Sequence, residues 1–341
     1  MTGHKMNIHD IAEKAGVSYM TVSRVVNGSA QVSRKTRHAV EKVIRENRFV
    51  PSQAASAVRK KTQTLVGLVL PRLEYAFYES FVNAFTESCM AAGLEPEIHL
   101  TLHDSASETR QVLALASRRA LGIVVASAKA DDPLIDTAKK YIQKIIVLGA
   151  PDDERAKSGG HFYIGFDEEK VASLASSALL GAGHRKILVV SSTPLQFKTT
   201  GKPSRRLGYF EKKCLAGGGE VASVLDLDNQ NYDEIVSPEA LAGLLDKSGA
   251  TAAFCENDFA AHKIYAAAAK AGVRIPRDLS VVGVDDVFSS KYLSPALTTV
   301  ALPYEEAVPE IVGFFSTKSR RESFTRHLVP VLRTRDSLRK I

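Results

Sequence analysis

A chain of 341 residues is too long for one small core and points to two or three domains. Its 45% hydrophobic and 24% charged content is that of a water-soluble globular protein, and no apolar run approaches the roughly 20 residues a membrane helix needs. Three widely spaced cysteines, Cys89, Cys214 and Cys255, exclude a CxxC zinc site and a disulfide framework, and no apolar segment follows Met1–Met6 as a secretory signal would require, so a reducing cytoplasm is expected.

The net charge of +7 is confined to one end of the chain. Residues 1–61 hold twelve Lys/Arg against four acids, a surplus of +8, so the remainder carries −1. A solvated basic face is one reading, but such confinement favours an anionic polymer as partner. Within that stretch, Asn7 can cap a helix carrying Ile8, Ile11, Ala12 and Ala15, and Gly16 breaks it. Ser18 caps a second helix, Tyr19 to Val26, with Val22, Val25 and Val26 facing inward; Asn27-Gly28 ends it. Ser33 caps a third, whose core stripe is Val40, Val43 and Ile44. Two short helices joined by a glycine turn, with a supporting helix after them, form the helix-turn-helix plan. In that plan the first turn of the second helix meets base edges in the major groove, here through Tyr19, Met20, Ser23 and Arg24. Arg24 can make the bidentate contact to guanine, Tyr19 can reach a thymine methyl or a phosphate, and Met20 offers apolar contact. A protein–protein helical hairpin is the competing reading.

The segments NIHDIAEKAGVSYMTVSRVVNG and VSRKTRHAVEKVIRENRFVP, continuous over residues 7–51, closely resemble the DNA-binding end of the LacI/GalR (lac-repressor type) family. The resemblance implies an all-α helix-turn-helix head over residues 1–50 that contacts palindromic operator DNA as a homodimer. Ser18, Tyr19, Met20, Ser23, Arg24, Asn27 and Ser33 are its expected contacts.

Residues 51–64 form the connector. Pro51 suits the first turn of a short helix through Val58, too short to be stable alone. The resemblance implies a hinge helix that pairs with its dimer mate and wedges an apolar side chain into the minor groove. Ser56 and Val58 stand where the family usually has Arg and Leu, so Val58 is a shorter wedge. Arg59 is placed to reach phosphates or the groove floor. A plain flexible linker is the alternative.

From Leu65 onward, short apolar runs (Leu65–Leu70, Leu121–Val125, Ile145–Leu148, Ile187–Val190, Ala252–Cys255 and Ser280–Val284) alternate with helical stretches such as Phe77–Met90, Lys170–Leu180, Arg206–Leu215 and Phe259–Ala271. That alternation predicts parallel sheets covered on both faces, in two α/β lobes with a ligand at the carboxyl ends of the strands. LVGLVLP, GHRKILVV, RRLGYF, AAFCENDFAA, IPRDLSVVGVDD and LSPALTTV resemble, in order, the periplasmic-binding-protein-like effector core of the same family. The resemblance implies three crossovers, near Phe166, Thr299–Leu302 and His327–Pro330. Lobe one would then span about 65–165 and 300–327, and lobe two about 166–299 and 328–341. It also implies the effector contacts: Arg205 of the R-x-x-G-Y pattern, Asp285 at a strand end, Asn257 and Asp258, Asp167, and Phe77 and Tyr78 for stacking. An interlobe salt bridge is the other reading of Arg205 and Asp285. Lys198, Lys202 and Arg206 would favour an anionic effector if they point inward; otherwise they are loop charge. Family precedent makes a sugar or sugar derivative the expected effector, and a nucleoside or sugar phosphate the alternative.

A solute receptor for transport shares the two-lobed core but does not account for residues 1–61. An enzyme is disfavoured. Gly217-Gly218-Gly219 is not followed by the Lys-Ser/Thr of a P-loop, and there is no GxSxG, HExxH or zinc-spaced cysteine pattern. No cofactor and no metal are expected. The C-terminal end shows no heptad-rich tail, which argues against a tetramer.

Overall fold

The computed structural model describes residues 6–26, 31–47, 49, 63–73, 77–102, 104–126, 133–149, 162–192, 204–227, 236–317 and 325–341. Contacts divide the chain into two units, Met1–Gln63 and Thr64–Ile341. The expected DNA contacts Asn27, Val58 and Arg59, the hinge segment 51–58 and the loop lysines Lys198 and Lys202 lie outside the described residues.

The first unit contains α1 (Ile8–Lys14), α2 (Tyr19–Val26) and α3 (Arg34–Glu46). Asn7 and Asp10 form a reciprocal capping box: Asn7 Oδ1 accepts from the His9 and Asp10 amides at 2.8 and 3.2 Å, and Asp10 Oδ2 accepts from the Asn7 amide at 2.7 Å. Gly16 takes φ +64°, a conformation that side chains oppose, and this lets α2 turn back on α1. Ile11, Ala12, Val22, Val25 and Val40 are buried together as one small core.

The second unit is two sheets of six strands each. Lobe one has the order β11-β5-β4-β3-β1-β2, built from β1 (Leu65–Leu70), β2 (Glu95–Leu100), β3 (Gly122–Val125), β4 (Ile145–Leu148), β5 (Phe162–Phe166) and β11 (Thr325–Leu328), all parallel. Lobe two has the order β12-β10-β9-β8-β6-β7, from β6 (Lys186–Ser191), β7 (Glu220–Asp226), β8 (Ala252–Cys255), β9 (Ser280–Asp285), β10 (Thr298–Ala301) and β12 (Val331–Arg333). Only β12 runs antiparallel, against β10. The chain passes between the lobes after β5, after β10 and between β11 and β12, so each sheet is assembled from separate stretches of sequence.

Lobe one carries α4 (Phe77–Ala91), α5 (Ser105–Ser117), α6 (Pro133–Ala138) and α11 (Val308–Ser316); lobe two carries α7 (Glu168–Gly181), α8 (Arg205–Ala216), α9 (Pro238–Ser248) and α10 (Asp258–Ala271). The central strands are buried on both faces, which is why they read as unbroken apolar runs. Edge strands β2 and β7 are half exposed and alternate in polarity. One hydrophobic cluster runs through both lobes; in it the Tyr304 ring meets Phe166 edge-on at 4.6 Å and Phe81 at 6.3 Å. Close packing has sequence requirements: a Cβ on Gly122 would lie 2.4 Å from the Phe315 ring. His184 pairs with Thr251 Oγ1 at 2.8 Å, Ser280 Oγ at 3.0 Å and the Arg339 carbonyl at 3.1 Å, tying the last residues to lobe two.

Candidate nucleic-acid interface and effector cleft

In the head, Val22 and Val25 turn into the core while Tyr19, Met20, Ser23 and Arg24 share the other side of α2. Met20 is 61% exposed and Arg24 is exposed, so an apolar tip and a guanidinium stand side by side with no burial cost. Tyr19 stacks on His9, ring centroids 4.9 Å apart, which fixes the phenol at the start of the helix. Ser18 and Ser33 act as caps: each hydroxyl accepts from the amide three residues on, Thr21 at 3.2 Å and Thr36 at 3.1 Å. Lys14 Nζ donates to Asn47 Oδ1 at 2.6 Å, locking α1 to the end of α3.

The cleft floor of the second unit is built where strands of lobe two end. Its organising group is Arg206, in the first turn of α8. Its Nε and Nη2 donate to Glu168 at 2.7 and 3.1 Å, and Nη1 donates to the Glu256 carbonyl at 2.7 Å. Burial opposes the guanidinium charge, but Glu168, by charge and hydrogen bonding, outweighs it, and with help from Asp285 and Glu256 holds the group above its ordinary value. Asp285 ends β9 at φ +114°, followed by Asp286 at φ +57°, two successive non-glycine residues in the region that costs about 1–3 kcal/mol each. Burial drives the Asp285 carboxyl well above the ordinary range; Arg206 pulls it back in part, while Asp258, Glu168 and Glu256 push it further. Tyr304 is raised by burial and by Glu168, with Arg206 opposing.

The expected effector residues separate into distinct roles. Arg205 stands exposed, and the cleft guanidinium is that of its neighbour Arg206, because one residue step in the first helical turn rotates the side chain by about 100°. Asp258 is fully buried and engaged by three donors: Oδ2 accepts from the Val287 amide at 3.0 Å and Ser290 Oγ at 2.6 Å, and Oδ1 accepts from Thr299 Oγ1 at 2.6 Å. Its carboxyl ties α10 to the Val287–Ser290 turn and to β10; burial lifts it to about 7 against the pull of those three donors. Asn257 caps α10, accepting from the Ala260 amide at 2.9 Å and donating to Ser192 Oγ at 2.6 Å. Asp167 caps α7, accepting from the Lys170 amide at 3.0 Å, and is exposed. Tyr78 is buried in the core of lobe one; the side chain of Phe77 lies outside the described residues. Of the expected set, Asp285 is the one brought to Arg206.

Four groups at the site had no place in the reading of motifs: Glu168, Glu256, Tyr304 and Asp286. Glu256 is buried and its Oε2 accepts from the Ser192 amide at 3.0 Å, at the end of β6. Asp286 pairs with Arg335 and, at 3.7 Å, with Arg333. Glu168, Glu256 and Asp286 each adjoin a residue that was singled out, so adjacency was the available signal; Tyr304 adjoins none. Among the described residues no group of three or more His, Cys, Asp or Glu could hold a metal ion, and no helix is long and apolar enough to cross a membrane.

Comparison with known proteins agrees with both halves. Residues 7–52 match the family model "Bacterial regulatory proteins, lacI family", and residues 177–338 match "Periplasmic binding protein-like domain". The HTH-type transcriptional regulator DegA of Bacillus subtilis is 29% identical over 303 residues, 89% of this chain and 88% of that protein. The HTH-type transcriptional repressor PurR of Erwinia tasmaniensis is 29% identical over 337 residues, 97% of this chain and 96% of that protein. Among solved structures, a transcriptional regulator CelR–cellobiose complex is 25% identical with a TM-score of 0.66, covering 97% of this chain and 99% of that one.

Proposed function

Because the chain belongs to the LacI family of bacterial transcriptional regulators, we propose that it is an operator-binding repressor of carbohydrate-utilisation genes, released or tightened by a sugar or sugar derivative held at Arg206 and Asp285. The observation that carries the DNA half is the α2 face: Met20 and Arg24 are exposed opposite buried Val22 and Val25, on a segment holding the chain's whole surplus of positive charge. Val58 and Arg59 are the proposed minor-groove contacts. The relatives are regulators by name, and the reading is of a binding protein rather than an enzyme.

The effector class follows from the floor's charge. Glu168, Glu256 and Asp285 surround one guanidinium, which Glu168 already holds bidentately. A phosphate or carboxylate there would meet an acidic surplus, whereas hydroxyls can donate to Asp285 at no electrostatic cost. The cellobiose bound by one structural relative fits this class. A homodimer is proposed because two half-sites require two recognition helices. Corresponding edges of the lobes offer apolar residues for it: Ile98 and Leu100 on β2, 41% and 38% exposed, and Val224 on β7, 54% exposed.

The test is binding of the full chain to duplexes recovered by selection from a random pool. Arg24→Ala is expected to cost roughly 1–3 kcal/mol on the selected duplex and to relax preference at one position. Equal loss on random DNA would remove Arg24 from base readout.

A further inference from the structure

Next to the effector floor, a groove of about 340 Å³ separates the lobes, and Asp285 and Asp286 form part of its wall. Its lobe-one side carries Glu79 and Ser80 on α4 and Glu305 in the 3₁₀ turn Tyr304–Ala307. Its lobe-two side carries Lys291 in the 3₁₀ turn Phe288–Tyr292 and Arg333 on β12. The charges are unequal across the groove: lobe one brings Glu79 and Glu305, while lobe two brings Lys291, Arg333 and Arg335 alongside Asp285 and Asp286, the latter paired with Arg335.

We propose that this groove is an interlobe clasp, in which Glu79 and Glu305 pair with Lys291 and Arg333 in a second, more closed arrangement of the lobes. Each partner is available for exchange. Glu305 receives only a long hydrogen bond from Ser80 Oγ, 3.4 Å, and Glu79 has no ion-pair partner among the described residues. Among the described residues Lys291 is held by ring contacts alone, its Nζ 4.6 Å from the Phe288 centroid and 5.0 Å from that of Tyr292. Arg333 is redundant where it stands. It reaches Asp286 at 3.7 Å, but Asp286 is already paired with Arg335, whose other nitrogen donates to the Leu297 carbonyl at 2.8 Å. Turning Arg333 toward Glu305 therefore leaves Asp286 neutralised.

The clasp biases closure electrostatically. Across an open, water-filled groove the opposed charges attract weakly; as the walls approach and water leaves, the same pairs gain. Opening is favoured by hydration of four exposed charges, so the two arrangements differ little and a ligand contacting one lobe can shift them. The connections between the lobes permit such motion, since the chain passes between them only three times, at Asp167, at Leu302–Pro303 and at Val329–Pro330. This inference concerns the motion of the core and stands independently of the DNA and effector readings.

The test is a distance measurement between the lobes in the full chain. Spin labels at exposed Ala106 and Ala240, in the first turns of α5 and α9, sit at the carboxyl ends of the edge strands of the two lobes. Native Cys89, Cys214 and Cys255 are buried and do not compete for label. Labelled Ala106→Cys/Ala240→Cys protein is diluted into unlabelled protein so that distances within one chain are read. Two distance populations are expected, the shorter one depleted about threefold to fivefold by Glu305→Lys or by Arg333→Glu, and restored in the double variant. About 0.5 M sodium chloride should deplete it in the parent and not in the single variants. Glu79→Lys with Lys291→Glu repeats the cycle away from Asp286. A single population in every protein, or double variants that merely add the effects of the singles, would overturn the clasp.

Discussion

Replacing Arg206 with methionine keeps much of the side chain's volume but leaves Glu168 facing Glu256 and Asp285 with no opposing charge. The pair is largely removed from water, with side chains 15% and 17% exposed, and its geometry is bidentate. Removing one partner of a fully buried pair costs about 3–5 kcal/mol, and partial exposure brings this to roughly 2–3 kcal/mol here. In a unit of this size that lowers Tm by about 3–5 °C. Glu168→Gln alone should cost less, because Arg206 keeps its bond to the Glu256 carbonyl. The double variant should recover at least about 1 kcal/mol of the summed loss, since it strands neither charge. Urea denaturation of the three variants and the parent, with unchanged m-values, measures this coupling directly. Strictly additive losses would show that the pair does not organise the cleft floor.

Asp258 makes stability depend on pH. Its carboxyl is held up at about 7, so between about pH 4 and pH 7 the folded chain keeps a proton that the unfolded chain has released, and stability falls as pH rises through that window. The loss is about 1.4 kcal/mol per pH unit at most and levels off above pH 7. Asp258→Asn should flatten that slope relative to the parent; an identical slope in both would assign it to other groups. Gly283→Ala should destabilise by roughly 1–3 kcal/mol, because its Cβ would sit 2.2 Å from Asp258 Oδ1 and 3.2 Å from Leu297. Gly243→Ala, within α9 and with nothing within 4 Å, should stabilise by about 0.5–1 kcal/mol, and unfolding experiments that found the same sign for both would contradict this packing.

The layered architecture was legible because its central strands are covered on both faces and so are written as unbroken apolar runs, LVGLVL and IIVL among them. Edge strands escaped notice for the converse reason: EPEIHL and EVASVLD expose one face and mix polar with apolar residues. The head was the most readable part, since each cap and turn residue acts on neighbours within a few positions. The cleft was only half readable. A pattern such as R-x-x-G-Y names a helix turn but not which of two adjacent arginines faces the cleft, and Arg206 is fixed there by Glu168, 38 residues away. Asp258 looked like a ligand contact beside Asn257 because its donors, Val287, Ser290 and Thr299, lie 29, 32 and 41 residues off. The cap roles of Asp167 and Asn257 were written in their position just ahead of helices, where a short polar residue serves the helix first.

The central claim is that one molecule both grips duplex DNA and is told by a ligand when to do so. It is tested most directly by fluorescence anisotropy of a labelled selected duplex titrated with the full chain, at one fixed salt concentration, with and without a neutral sugar that raises the core's Tm. The account predicts a saturable change in operator Kd of about 5- to 150-fold, absent in Asp285→Ala even though that variant binds the duplex normally without sugar. A sugar that stabilises the core while leaving operator Kd unchanged, or a response that survives in Asp285→Ala, would contradict it.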